Sequence, residues 1–108
     1  MKSMSKFIFT ALLFLPGISN AQIPRYDVES YCKSVADMSG GSSMIFNGCI
    51  EMEQEAYDDI KQIWLNLSQK QKKYCDEVGQ VSGGSYSILK GCLDMEMEAS
   101  SSTPKFKY

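Results

Sequence analysis

The sequence predicts an all-α fold of two disulfide-stapled antiparallel helical hairpins, packed as a compact four-helix domain. Three observations predict it. A 27-residue frame beginning Tyr31-Cys32 returns 43 positions later at Tyr74-Cys75, without insertion or deletion, and 14 of its positions are identical. Each copy carries Gly-Gly at its centre (Gly40-Gly41 and Gly83-Gly84), with one cysteine eight residues before the pair and one eight residues after. Apolar residues recur at helical spacing on both sides of each glycine pair.

Symmetry about the glycines selects the pairing. If each unit is helix, turn, antiparallel helix, the rise of about 1.5 Å per residue puts both cysteines roughly 12 Å from the turn, level with each other. Cys32–Cys49 and Cys75–Cys92 are therefore expected, although four cysteines allow three connectivities. Disulfide Cα separations of about 4.4–6.8 Å are shorter than ordinary helix packing, so Gly48 and Gly91 are expected to permit the approach. Zinc is disfavoured, because the cysteines are far apart in sequence and the chain has no histidine.

The elements follow in order. Residues 1–21 read as a signal peptide: Lys2 and Lys6 precede the apolar run Phe7–Leu15, and Ser19-Asn20-Ala21 fits a small-x-small cleavage site. The run is too short for a permanent span. Cleavage after Ala21 leaves 87 residues; losing Lys2 and Lys6 from 11 basic residues leaves nine against 13 acidic, a net charge of −4. Residues 22–103 are expected to form one all-α domain, with repeat one at about 27–60 and repeat two at about 68–100. Export places the cysteines in an oxidising periplasmic or extracellular setting. Each stapled loop should add on the order of 3 kcal/mol to a domain small enough for its core to be marginal.

Helix one is expected from about Asp27, its N-cap, to Met38, with Val28, Tyr31, Cys32 and Val35 inward. Helix two starts after Ser42 or Ser43 and extends towards Trp64, with Ile45, Cys49, Met52, Ala56, Ile60 and Ile63 inward. Ile60, Ile63, Trp64, Leu65 and Leu67 have no counterpart in the other unit's link and are expected to seal the hairpins together. Ser68 with Gln71 is a capping box opening helix three, where Tyr74, Cys75 and Val78 repeat the first helix. Helix four follows Ser85, with Ile88, Cys92, Met95 and Ala99 inward. Residues 104–108 read as a disordered tail.

The frame Tyr-Cys, Val, Gly-Gly-Ser, Ile, Gly-Cys, Glu-x-x-Ala resembles that of small exported bacterial proteins without an assigned activity. The resemblance covers residues 31–57 and 74–100. It implies export and a helical, disulfide-bonded form, and it implies no catalytic residue. The second unit has Tyr86 after Gly-Gly-Ser where the first has Ser43, so that tyrosine is not expected to have a shared role.

Few residue types are left to carry chemistry. Histidine is absent and the cysteines are expected to be bonded, so no catalytic residue, metal or cofactor is expected. Glu53 and Glu96, each four residues past a cysteine, are possible binding residues: either a paired-carboxylate site across the repeats, or rim glutamates bonded to a tyrosine hydroxyl or a lysine. The latter is favoured, because so short a chain can hardly build a concave hydrolytic site. The carboxylates from Glu51 to Asp59 spread around a helix and do not form a calcium loop. Met38, Met44, Met52, Met95 and Met97 could suit copper(I), but flexible core filling is the simpler expectation. Lys70, Lys72 and Lys73 read as a solvated helix face, and Asn66-Leu67-Ser68 matters as a glycosylation acceptor only in a eukaryotic secretory pathway. The acidic balance argues against nucleic acid. A non-enzymatic protein-interaction module in the envelope or outside the cell is the leading expectation, as an inhibitor, an immunity-type binder or an accessory protein. A periplasmic acid-stress chaperone is the alternative, and a small hydrolase or toxin the third.

Overall fold

The computed structural model describes residues 22–108; the expected leader and its cleavage site at Ala21 lie outside them. An extended segment, residues 22–27, leads into α1 (Val28–Asp37), followed by α2 (Ser43–Ile63), a short 3-10 turn (Trp64–Asn66), α3 (Gln69–Gly79) and α4 (Tyr86–Ser101). Among the described residues there is no strand, and no helix is long and apolar enough to cross a membrane. Residues 103–108 carry no regular structure and are exposed.

Each helix starts where a capping side chain tells it to. Asp27 accepts from the Ser30 amide at 3.1 Å and the Ser30 hydroxyl at 2.8 Å; these bonds, the hydroxyl's foremost, hold its carboxyl below the usual range. Ser42 caps α2 through the Ile45 amide, and Ser85 caps α4 through the Ile88 amide. Ser68 and Gln71 form the reciprocal capping box, each side chain accepting from the other's amide at 3.1 Å.

The hairpins are stapled as the spacing predicts. Cys32 bonds Cys49 and Cys75 bonds Cys92, with Cα separations of 5.6 and 5.5 Å. Gly48 and Gly91 do not explain that approach, because a Cβ added at either meets nothing within 4 Å. The turn glycines do matter: Gly40, Gly41, Gly83 and Gly84 all have positive φ. Gly41 donates to the Ala36 carbonyl and Gly40 to the Asp37 carbonyl, the bond pair that closes a helix on a left-handed residue.

The hairpins meet through α2. Its first half packs on α1 and its second half on α4, and the core gathers on the second hairpin: Ala56, Ile60, Trp64, Leu67, Cys75, Tyr86, Leu89, Cys92 and Leu93. Ile60, Leu89 and Leu93 are fully buried, each worth about 1.5–3 kcal/mol of apolar transfer. Ile63 packs against this core as expected, while Leu65 points outward.

The expected inward stripes need correction. Met52 is 63% exposed and Met95 67%, and Ile45, Tyr74 and Ala99 are also exposed. The stripe drawn through the cysteines follows the side of each helix that faces its hairpin partner. Ala56 and Ile60 are buried as expected, but packing between hairpins uses the neighbouring face, so Glu53 on α2 and Leu89 and Leu93 on α4 are buried where Met52 and Met95 are expected. Met38 and Met44 are likewise exposed, and Met97 is marginally so, which removes core filling as the role of all five methionines.

The glycines should separate on mutation. At Gly84 (φ +104°), a Cβ would stand 3.0–3.2 Å from the Tyr26 side chain. Gly84→Val is expected to cost more than about 2 kcal/mol, combining backbone strain with that collision. Gly91→Ala, in open space within α4, should be neutral or stabilising by up to about 1 kcal/mol. Urea unfolding of both variants checks this; equal effects would contradict the turn geometry.

Candidate functional site

Glu53 is the most unusual side chain in the molecule. It projects from the middle of α2, is 2% exposed, and both its oxygens are bonded to the start of α4. The Tyr86 amide donates to Oε1 at 2.6 Å; the Ser85 hydroxyl and the Ser87 amide donate to Oε2 at 2.8 and 3.2 Å. A carboxylate here meets unsatisfied first-turn amides and the positive end of the helix dipole. Ser85 serves two ends at once, donating to Glu53 while accepting from Ile88. The expectation of a rim glutamate is therefore corrected: Glu53 is an interior tie between the hairpins. Glu96, its repeat counterpart, is only half-buried, so the two carboxylates have different environments and roles.

The extended segment makes a second tie. Tyr26 lies against Tyr86 with ring centroids 4.6 Å apart, and Tyr57 meets Tyr86 edge-on at 4.8 Å. The Tyr26 amide donates to Tyr86 Oη, and that hydroxyl donates to the Pro24 carbonyl. Tyr26 Oη donates to Asp76 at 2.7 Å. Burial, then the Asp76 bond, pushes the Tyr26 hydroxyl well above the ordinary tyrosine value. Burial also raises Tyr86.

Tyr26 docks where the repeats differ. Its hydroxyl occupies the space beside Gly79, where a Cβ would come within 2.8 Å; the first repeat has Ala36 there. Its acceptor Asp76 corresponds to Lys33, and its stacking partner Tyr86 to Ser43. Sequence reasoning missed Tyr26, Tyr57 and Asp76, and treated Tyr86 only as a mismatch. The non-identical positions of the frame were the available signal.

Between the extended segment, α1 and α2 lies an open groove of about 990 Å³. Ile23, Val28, Ile50, Tyr57, Trp64 and Leu65 supply apolar lining; Arg25, Glu29, Gln54 and Lys61 supply charge and hydrogen-bonding groups. Lys61 pairs with Asp58 at 3.1 Å and stands over the Tyr57 ring, whereas Arg25 forms no ion pair among the described residues. Trp64 is 4% exposed, and its buried indole N–H has no acceptor among them. No three His, Cys, Asp or Glu side chains among the described residues gather as a metal-ligand set. Comparison with protein-family models, curated proteins and solved structures finds no match.

Three variants test these ties. Glu53→Gln replaces one acceptor oxygen with an amide that faces donors, and should cost about 1.5–3 kcal/mol, the scale of a charge-assisted hydrogen bond. Glu96→Gln should stay within about 0.5 kcal/mol. Equal costs measured by urea unfolding would refute the asymmetry. Tyr26 titrates higher folded than unfolded, so its contribution is complete below the ordinary value of 10.0 and is lost as pH rises above it. Tyr26→Phe should therefore flatten the fall of melting temperature above pH 10; an unchanged alkaline limb would contradict burial of that hydroxyl.

Proposed function

We propose that this chain is a small exported, non-enzymatic protein-interaction module of the inhibitor, immunity-type or envelope-accessory kind, acting in the periplasm or outside the cell. The open groove carries this reading. Its mixed apolar and polar lining suits a polypeptide surface, and Arg25, exposed and without an ion pair among the described residues, gives it a charge to offer. The disulfides, both within hairpins, hold that surface rigid at little ordering cost on binding. They are also compatible with an oxidising compartment, as the leader-like residues 1–21 imply. Glu53, the best candidate for acid–base work, spends both oxygens on α4, which weighs against the hydrolase reading.

A second reading, the acid-stress chaperone, draws on the exposed methionines. Met38, Met44, Met52 and Met95 present flexible apolar surface of the kind that adapts to many partners. It requires loss of structure and dye binding near pH 3–4, and a chain that stays folded there removes it.

The interaction reading predicts position-dependent capture. A photo-crosslinking residue at Leu65, on the groove, should give one discrete adduct with an envelope extract; the same residue at Glu77, exposed on α3 outside the groove lining, should give none. Gln54→Arg, on the groove wall, should suppress the Leu65 adduct without changing the melting temperature. Identical adducts from both positions, or turnover of cell-wall fragments or peptides by the native chain, would overturn the reading.

A further inference from the structure

We infer that the face of the first hairpin from Ser42 to Ile50, which adjoins the groove, receives an amphipathic helix of a partner protein, seated as the second half of α2 is seated on the second hairpin. This rests on the interaction-module reading and names the kind of partner. The internal repeat supplies the template, because every seat residue of hairpin two has a counterpart 43 positions earlier. On hairpin two, the covering helix places Glu53 on the Ser85 hydroxyl and the Tyr86 and Ser87 amides, with Ala56, Ile60 and Trp64 following at helical spacing. Leu89 and Leu93 beneath it are fully buried, and Lys72 stands 5.1 Å from the Trp64 ring.

On hairpin one the same seat is only partly covered among the described residues. Phe46 and Ile50, the counterparts of Leu89 and Leu93, are only half-buried. Ser43 and Met44, the counterparts of Tyr86 and Ser87, offer amides that meet no acceptor among the described residues, although Ser42 caps the helix as Ser85 does. Among the helices, α1 packs closely only on α2. The counterpart of Lys72 is Glu29, which lines the groove together with Ile50. The seat on hairpin one thus runs from Ser42 to Ile50 and meets the groove at Ile50 and Glu29.

The differences specify the occupant. An acidic residue should meet Ser42 and the amides of Ser43 and Met44, as Glu53 meets theirs. Small and branched apolar residues three and seven positions later should cover Phe46 and Ile50. Glu29 in place of Lys72 calls for a basic residue near the position that Trp64 holds, eleven after the acidic one. Ala36 in place of Gly79 leaves no room for a Tyr26-like strap, so the helix suffices.

The test uses the chain's own covering helix as probe. A synthetic peptide of residues 50–66 carrying Trp64→Arg is titrated into residues 22–108 with both disulfides formed, followed by amide NMR. The expected result is saturable shifts confined to Ser42–Ile50 and the groove, with a dissociation constant on the order of 100 µM or tighter. The same peptide with Glu53→Gln should bind about tenfold more weakly, and Ile50→Asp in the protein should abolish binding while its amide spectrum stays dispersed. No saturation at millimolar peptide, shifts confined to hairpin two, or an unaltered affinity for the Glu53→Gln peptide would overturn the inference. So would concentration-dependent dimerisation of the protein through Phe46 and Ile50, which would make a second copy the occupant. If the peptides fail while the Leu65 adduct remains position-dependent, the helix is wrong and the interaction reading stands; if the adduct loses its position dependence, the reading itself falls.

Discussion

One buried carboxylate holds this fold in register. Glu53 leaves the middle of α2 and ends on the first turn of α4, where the Ser85 hydroxyl and the Tyr86 and Ser87 amides take up both its oxygens. Burying a charge is costly unless it is fully bonded, and here the donors belong to the other hairpin. Sliding or rotating one hairpin against the other would strand the carboxylate and the amides together. The apolar contacts of Ile60, Leu89 and Leu93 supply attraction, which tolerates small shifts. The carboxylate supplies direction, which does not.

The repeat makes this more than a local detail. Two copies of one frame give two similar stapled hairpins, but only the second is covered, because α2 runs on past its own hairpin and crosses the next. Tyr26 then locks the covered hairpin at Asp76, Gly79 and Tyr86, three positions that differ between the copies. Identical positions build the hairpin; divergent ones decide what lies on it. On the first hairpin Phe46 and Ile50 stay half-buried, where their counterparts Leu89 and Leu93 are fully buried.

Much of the architecture was legible because it is local. Caps, glycine turns and cysteine spacing act within a few residues, so Asp27, Ser42, Ser68 and Ser85 mark where the helices begin, and the distances from Gly40-Gly41 and Gly83-Gly84 mark the disulfides. The helical phase was not legible. On α2, Met52 and Glu53 are adjacent and separated by about 100° around the axis, and sequence periodicity favours burying the methionine. The fold buries the glutamate, because donors 32 to 34 positions away offset its desolvation. The docking of Tyr26 was hidden for the same reason: its partners lie 50 and 60 positions away. Glycines 48 and 91 misled in the opposite direction, repeating faithfully without any close contact to explain them.

Amide hydrogen exchange on the disulfide-bonded protein tests the central claim within one molecule. The Tyr86 and Ser87 amides sit at the start of a helix, where amides ordinarily exchange fast, and the account predicts strong protection for Tyr86 because Glu53 holds it. Their repeat counterparts, Ser43 and Met44, occupy the same helix position without a carboxylate and should exchange at least about a hundredfold faster than Tyr86 if the tie opens only with the hairpin interface. Equal exchange of Tyr86 and Ser43 would contradict the claim that Glu53 fixes the two hairpins together.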